Sequence, residues 1–518
     1  MKKFFLLPVL LFSAGLRAQT VITSFAGVGF SDTSALGTEA TPPDSMGAAG
    51  TNHFVEFVNG AFAIYSKAGV RQSLSSDISF WTNAGISAAT LSSGIGDPRI
   101  LFDAGSGRWF ATEITVDSVN NKILLARSDT ADPAGPWKAV SFTGTTGLFA
   151  DYDTLGVDSL GVYVGVNNFT NGGSFANVAF YSIPKSDLLA ATPSLANLTR
   201  FDNLDDQTYG FTLQGVSNPD PGGHGVILAV DNAALNFFDR TTINNPGGPG
   251  ATFSAATRIG NLYDGVPVPA AQPGGNTVDT LDDRFSGSVR QAGGFLFMAN
   301  TVTNAPGRRN AVHWLVLNET NSMILGEGII VSNNYDFFQP SIAASRKGKF
   351  LVAFNRASNT ATNGQISIYG ALGSWSSAGA SLGAPFLIQQ GGVTNFHMSF
   401  DSAPYRWGDY SATMVDPADD DLFWTIQEIP VSETAWGTQI ALISAATNAP
   451  VLSIARNNAS VVIKWPLSTD PAYGLQSNTN LLNPNAWASV GIAPVFSTNQ
   501  NVVTLPRTNA AAFFRLKK

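Results

Sequence analysis

Pro98-Arg-Ile-Leu-Phe-Asp103, a Gly-Ser-Gly turn, Arg108-Trp-Phe-Ala-Thr-Glu-Ile114 and then Lys122-Ile-Leu-Leu-Ala-Arg127 form the phrase that decides the fold. A short strand, a tight turn and two further runs of β-formers make one antiparallel unit. The phrase returns as Pro340-Ser-Ile-Ala-Ala-Ser345, Phe350-Leu-Val-Ala-Phe-Asn355 and Gln365-Ile-Ser-Ile-Tyr-Gly370. It returns again as Ser411-Ala-Thr-Met-Val-Asp416, Leu422-Phe-Trp-Thr-Ile-Gln427 and Thr438-Gln-Ile-Ala-Leu-Ile443. Looser copies start near Pro42, Thr154, Phe211 and Ser286. Self-similarity at roughly 55–70 residues, with several strands in each unit, predicts a β-propeller.

The expected fold is therefore all-β: a seven-bladed β-propeller, with six blades as the competing count, followed by a small β-sandwich. Six blades stay open because the first unit is short and the fourth is loose. Many of the runs are apolar on both faces, as a sheet sandwiched between two others requires. Gly at 51 and Pro at 27 residues suit a chain of tight turns, and no segment holds a helical period over several turns. The last unit has three evident strands, and Val21-Ile-Thr-Ser-Phe25 has no unit of its own. That segment is expected to complete the last blade beside Thr438–Ile443, tying the ring without a disulfide.

Domain boundaries follow from composition. Residues 1–18 read as a secretory signal: Lys2 and Lys3, an apolar stretch from Phe4 to Phe12, and Leu16-Arg-Ala18 as a cleavage site. Residues 19–444 form the propeller, 445–450 a linker, and 451–518 the sandwich, whose short strands lie near 451–455, 460–465, 473–477, 487–490, 501–505 and 512–516. The expectation is a monomer that is secreted or held at the cell surface, without a transmembrane segment.

The chain of 518 residues has no cysteine, which excludes disulfides, thiolate metal sites and a cysteine nucleophile. Loss of Lys2, Lys3 and Arg17 with the signal moves the formal charge from −8 to −11. An acidic chain without a basic tract is a poor partner for nucleic acid. A neutral glycan or a cation fits it better.

Chemistry is expected where the first strands of the units begin, because these starts meet around one mouth of a propeller. The starts carry Asp44; Asp97 and Arg99; Asp151, Tyr152 and Asp153; Tyr209; Asp282, Asp283 and Arg284; Tyr335 and Asp336; and Arg406, Trp407, Asp409 and Tyr410. Asp97, Arg99, Asp153, Arg284, Arg406, Trp407, Asp409 and Tyr410 are the candidate binding residues. Carboxylates and guanidinium forks hold hydroxyls, and Tyr or Trp stacks on a sugar face. The alternative is structural: aspartates capping turns, repeated because the fold repeats. Within Arg406-Trp-Gly-Asp-Tyr-Ser411, Gly408 predicts a close backbone approach. Asp416-Pro-Ala-Asp-Asp-Asp421 admits Ca²⁺ or a hydrated acidic turn. Of His53, His224, His313 and His397, the last is the best candidate base. No serine-hydrolase elbow, P-loop, zinc-helix motif or EF-hand loop is present.

Asp103-Ala-Gly-Ser-Gly-Arg-Trp109 resembles a degenerate Asp-box turn. Together with Pro42-Pro-Asp-Ser-Met-Gly47, Gly96-Asp-Pro-Arg99 and the Arg406 motif, it is similar to secreted bacterial sialidase-like propellers of unsettled activity. The resemblance implies that the Asp-box turn is structural and lies on the outer turn of a blade. It raises sialidase-like glycoside hydrolase or polysaccharide lyase activity as the alternative to glycan binding. A structural or adhesive surface protein is the third reading. A sialidase needs three converging arginines; Arg99, Arg284 and Arg406 are the evident trio, and they miss the family's usual motif near the first blade. The C-terminal module resembles fibronectin type III or immunoglobulin-like modules of secreted bacterial proteins.

Overall fold

In the computed structural model, Ile95–Asp103, Arg108–Thr115, Lys122–Ser128 and Trp137–Thr143 pair in chain order as one antiparallel sheet. The two middle strands are buried almost throughout, which is why each carries apolar residues on both faces. The structure describes residues 20–517 except 221, 223–224, 232–235, 264, 304–308, 399–400, 446–451, 458, 467–472, 481–482, 484–485, 498–499 and 507–511. The expected signal, the residues after Ala445 in the expected linker, and His224 lie outside the described residues.

The same order recurs along residues 20–445, which form one compact unit. Sheets begin at Met46, Ile95, Phe149, Phe211, Arg290, Asp336 and Ala412, and helix among the described residues is confined to Phe30–Leu36, Asp77–Asn83, Lys185–Leu189 and Asp206–Tyr209. Successive first strands touch: Met46–Ala49 meets Ile95–Asp103, which meets Phe149–Val157, which meets Phe211–Gly215. Ser217, just past that strand, bonds the backbone of Val289 and Gln291 at 3.1 and 3.0 Å. Arg290–Ala292 then meets Asp336–Ser345, that strand meets Ala412–Asp416, and the latter returns to Met46–Ala49. This closed ring of sheets is the arrangement of a β-propeller.

An apolar layer fills each interface. Leu101, Phe110 and Ile114 pack with Leu155 and Val164; Tyr163 and Phe180 with Leu213 and Ile227; Leu228 with Leu296 and Met298. Phe297 and Val312 pack with Ile342 and Phe350, and Leu351 and Ile368 with Phe423 and Ile443. Phe54, Trp109 and Trp424 join the last sheet to the first two. Gly156 and Gly165 bring two sheets into backbone contact, since a Cβ on either would run into the carbonyl of Gly215 or Leu213.

Thr20–Gly29 is the outermost strand of the last sheet, pairing with Ala435–Ser444 in a register that sets Val21 opposite Ile443 and Phe25 opposite Ile440. Phe25 packs against Tyr65 and Trp424 at ring-centroid distances of 5.4 and 6.4 Å. The ring is thus closed by strands from the two ends of residues 20–445.

Two details differ from the sequence reading. Most sheets carry a fourth strand, such as Arg71–Ser75 or Thr199–Leu204, that the repeat phrase lacks; these strands are largely exposed and polar. The first strand of the fifth unit is Arg290–Ala292 rather than a run starting at Ser286. Ahead of it, Ala270–Ala271 and Thr277–Val278 form a hairpin laced to Phe396 and Tyr405: Gln272 exchanges two 2.7 Å bonds with the Phe396 backbone, and Tyr405 N–H donates to Thr277 O at 2.9 Å.

The C-terminal residues belong to a second unit. It contains a four-stranded sheet (Ser453–Asn457, Ser460–Pro466, Gln500–Pro506, Val495–Ser497) and a three-stranded sheet (Ala488–Ser489, Gly474–Asn478, Phe513–Lys517). Ile463, Trp465, Leu475 and Val503 form an apolar cluster drawn from both.

Candidate functional site

Near the start of several first strands one residue is turned into the left-handed region: Asp44 (φ 49°), Asp97 (64°), Tyr152 (53°), Thr212 (58°) and Gln339 (50°). Four of these fall in a β-bulge. A positive φ at a tyrosine or a β-branched threonine is costly and persists only where surrounding contacts impose it. The bulge aims the next carbonyl at a neighbouring sheet. Asp153 O accepts from Arg99 Nε at 2.7 Å and Leu213 O from Thr154 Oγ1 at 2.8 Å; outside any bulge, Phe285 O accepts from Gln214 Nε2 at 3.3 Å. Pro340 O accepts from Ser286 Oγ at 2.8 Å, and Gln339 O from Ser411 Oγ at 2.9 Å.

Inside this ring, side chains span the axis. The Tyr152 hydroxyl donates toward Phe285 O at 3.3 Å and Asp409 O at 3.4 Å, joining three non-adjacent sheets or the segments leading into them. The Arg99 guanidinium lies 3.2 Å from the Tyr410 ring centroid and 5.0 Å from that of Tyr152; the Arg284 guanidinium lies 4.3 Å from the Tyr152 centroid. Tyr152 and Tyr410 meet edge to face at 4.9 Å. Cation–π contacts of this kind are strongest where water is excluded, and Arg99 is only 3% exposed.

Carboxylates crowd around this floor. Asp44 accepts from the Asp409 N–H at 2.6 Å and from Asn59 Nδ2 at 2.7 Å, while Asn59 Oδ1 accepts from the Asp97 N–H at 3.0 Å. Asp97 in turn accepts from the Tyr152 N–H at 2.8 Å. Burial, with the negative charges of Asp97 and Asp409 adding to it, pushes Asp151 up to about 7. Burial also lifts Asp409 to about 6 against the pull of Arg406 and Arg284, and it raises Asp44 well above the carboxylate range. Arg406 meets Asp409 at 3.3 Å, and Arg284 grips Asp282 with two 2.6 Å bonds. Two cations therefore stand among acids, Asp44, Asp151 and Asp409, whose proton affinity burial raises.

Gly408 makes the close approach its position predicts: its N–H donates to Glu428 Oε2 at 2.6 Å, and a Cβ there would sit 2.8 Å from that oxygen. Glu428 is itself raised by burial, and its other oxygen has no hydrogen-bond partner.

Of the eight candidate residues, Asp97, Arg99, Arg284, Asp409 and Tyr410 converge, and Arg406 stands beside them with an exposed side chain. Asp153 lies beneath, fully buried; burial pushes it up to about 8, and neither oxygen has a well-formed hydrogen bond, although the Thr112 hydroxyl lies close enough to favour its charge. Trp407 packs in the core at 6.0 Å from Phe338 and 5.7 Å from Phe396. The expected stacking platform is absent at these positions: Tyr152, Trp407 and Tyr410 are each 1% exposed, and the two tyrosines offer their faces to guanidinium groups instead. Asn59 and Glu428 had no sequence signal, because each sits in a strand pattern that reads as ordinary core.

The other candidates are accounted for by local bonds. Asp416 pairs with Lys67 at 2.8 Å and accepts from Trp424 Nε1, while Asp419 and Asp421 pair with Lys347. Lysine thus stands where Ca²⁺ was admitted, and among the described residues no group of three or more His, Asp and Glu is placed to hold a metal. His397 bonds the Asn395 carbonyl at 2.9 Å and faces Tyr405; His313 is buried between Asn300 and Glu327. Asp103 staples its turn through the Gly105 and Ser106 N–H groups, and the turn follows an inner strand rather than lying at the outside of its sheet.

No known family matches the chain, and no curated protein matches it. Solved structures do. A protein of unknown function from Dyadobacter fermentans DSM 18053 aligns at 9% identity over 80% of this chain and 95% of its own, with a TM-score of 0.33. The polysaccharide lyase Uly1 aligns at 8% identity over 70% and 84%, with a TM-score of 0.34. The Hadza microbial sialidase Hz136 aligns at 12% identity over 74% and 73%, with a TM-score of 0.34. No helix among the described residues is long and apolar enough to cross a membrane.

Proposed function

We propose that residues 19–444 are a seven-bladed β-propeller that binds glycan at the acidic mouth, in a monomeric protein exported to the cell surface or medium. Residues 451–518 are a small β-sandwich appended to it. The observation that carries the binding role is the meeting of Arg284, Arg406 and Asp409 with Asp97 and Asp151 above the Tyr152–Tyr410 floor. Guanidinium groups and protonated carboxyls donate, and ionised carboxyls accept. A sugar hydroxyl does both, so a polyol satisfies such a mixture without bringing net charge.

Screening residues 19–518 on a glycan array, with mass detection of products, tests this. Arg406→Ala and Asp409→Ala should lose retention while keeping the circular dichroism of the parent. Retention unchanged in both variants, or no glycan retained by the parent, removes the reading.

A hydrolase is the second reading, favoured by Asp151 at about 7 and Asp409 at about 6, which keep protons at the pH where a general acid works. The sialidase form of it is disfavoured, since Arg99 is spent on Tyr410 and the Asp153 carbonyl. Tyr152 and Tyr410 are pushed up by burial and make poor bases for a lyase.

A further inference from the structure

At the other end of the ring, the seven first strands finish around a second opening, a cavity of about 200 Å³. Ala48, Ala49, Leu101, Val157, Ala343 and Met414 supply its apolar wall, and Ser217 and Ser345 are among the polar residues that share it. Most of the charged side chains around it are paired. Asp103 meets Lys185 at 2.8 Å, Asp416 meets Lys67 at 2.8 Å, and Arg346 meets Asp220 at 2.9 Å. Asp420 lies half-buried at the rim.

Arg290 differs from its neighbours. It is the first residue of an inner strand, so its backbone is held in the ladder opposite Phe297 and beside Ser217. Its side chain has no hydrogen bond or ion pair among the described residues, and its Nε is buried without an acceptor. Burial alone acts on it, pushing it down to about 10, with no carboxylate near enough to oppose the effect. Arg290 is half-buried, and a guanidinium with one nitrogen sealed from water and unpaired is costly for a fold to carry. A methionine of similar length would serve packing better, so the charge has the character of a binding group held ready.

We propose that this second opening binds a small carboxylate, its anionic end on the Arg290 fork and a short apolar body against the alanine wall. A guanidinium matches a carboxylate bidentately, and the alanines leave room that larger side chains would fill. The site is separate from the acidic mouth and does not depend on any role given to it. The carboxylate belongs either to a free aliphatic acid or to the acid group of a uronic sugar.

The test is thermal unfolding and calorimetric titration of residues 19–518 with sodium butanoate, sodium galacturonate and sodium sulfate at constant ionic strength. One of the two carboxylates should raise Tm saturably by several degrees, through ligand linkage to the native state. A gain with butanoate identifies the aliphatic source, and a gain with galacturonate the sugar acid. Arg290→Met should unfold at or above the Tm of the parent without ligand and show no gain with it. Arg290→Lys should fold and keep a gain weakened at least tenfold in Kd. No gain from either carboxylate, or a gain equal to that with sulfate, overturns the proposal. An equal gain in Arg290→Lys and parent does so too. If Arg290→Met fails to fold, the lysine variant decides the matter alone.

Discussion

Both carboxylate oxygens of Glu56 face the backbone N–H of Val28, at 3.1 and 2.9 Å, and so tie the first sheet to the strand that closes the ring. Tyr65 Oη donates to the same group at 2.8 Å, and Thr438 Oγ1 from the last sheet also bonds it. Glu56 is fully buried, and burial outweighs these bonds and pushes its carboxyl up from 4.5 to about 7.

A folded-state value above the unfolded one means that protonation favours the native state. The stabilisation is fully present below about pH 4.5 and is withdrawn as pH rises through about 7. The size follows from the shift, about 3 kcal/mol at most. Glu56→Gln should therefore flatten this part of the stability curve, read as the urea midpoint of variant minus parent between those two pH values. Equal slopes in the two proteins would show that the Glu56 carboxyl does not titrate across that interval.

Deletion of residues 19–26 should lower Tm by several degrees, since it strips a ladder from Ala435–Ser444 and removes Phe25 from Tyr65 and Trp424. An unchanged calorimetric transition would mean that the ring holds without its closing strand.

Gly165→Ala should cost about 1–3 kcal/mol, because its Cβ has no room beside the Leu213 carbonyl and the two sheets must part. Gly172→Ala meets only Thr170 Oγ1 at 3.8 Å and serves as the control. Denaturant titration separates the two; equal midpoints would sink the close-packing argument.

Arg406→Ala should change stability by less than about 1 kcal/mol, because its side chain is 48% exposed. The same change removes the nearest cation from Asp409, whose carboxyl should then titrate above its present value of about 6. Carboxyl-carbon NMR across pH 4 to 9 reads the shift directly, and an unmoved Asp409 would detach it from Arg406.

The repeated strands were legible because a strand buried on both faces carries apolar residues in succession, as residues 123–126 and 350–354 do. The fourth strands were not legible, since Arg71–Ser75 and Thr199–Leu204 owe their place to one neighbour's ladder and have little apolar pattern. The acids and arginines at the strand starts could be read from position within the repeat. Their partners could not: Glu428 reaches Gly408 across 20 residues, and Asp44 reaches Asp409 across 365.

By itself the sequence determined the all-β composition, the absence of disulfides, the repeat and the segment that closes the ring. These are properties of local pattern, and local pattern survives without knowledge of what lies opposite. Only the tertiary structure decided that Tyr152 and Tyr410 serve as beds for Arg284 and Arg99 rather than as a surface for sugar rings. Among the described residues it likewise left Arg290 unpaired while Lys67 and Lys185 found acids. Which charges meet depends on closing the ring, and closure sets together residues whose separation along the chain carries no trace of it.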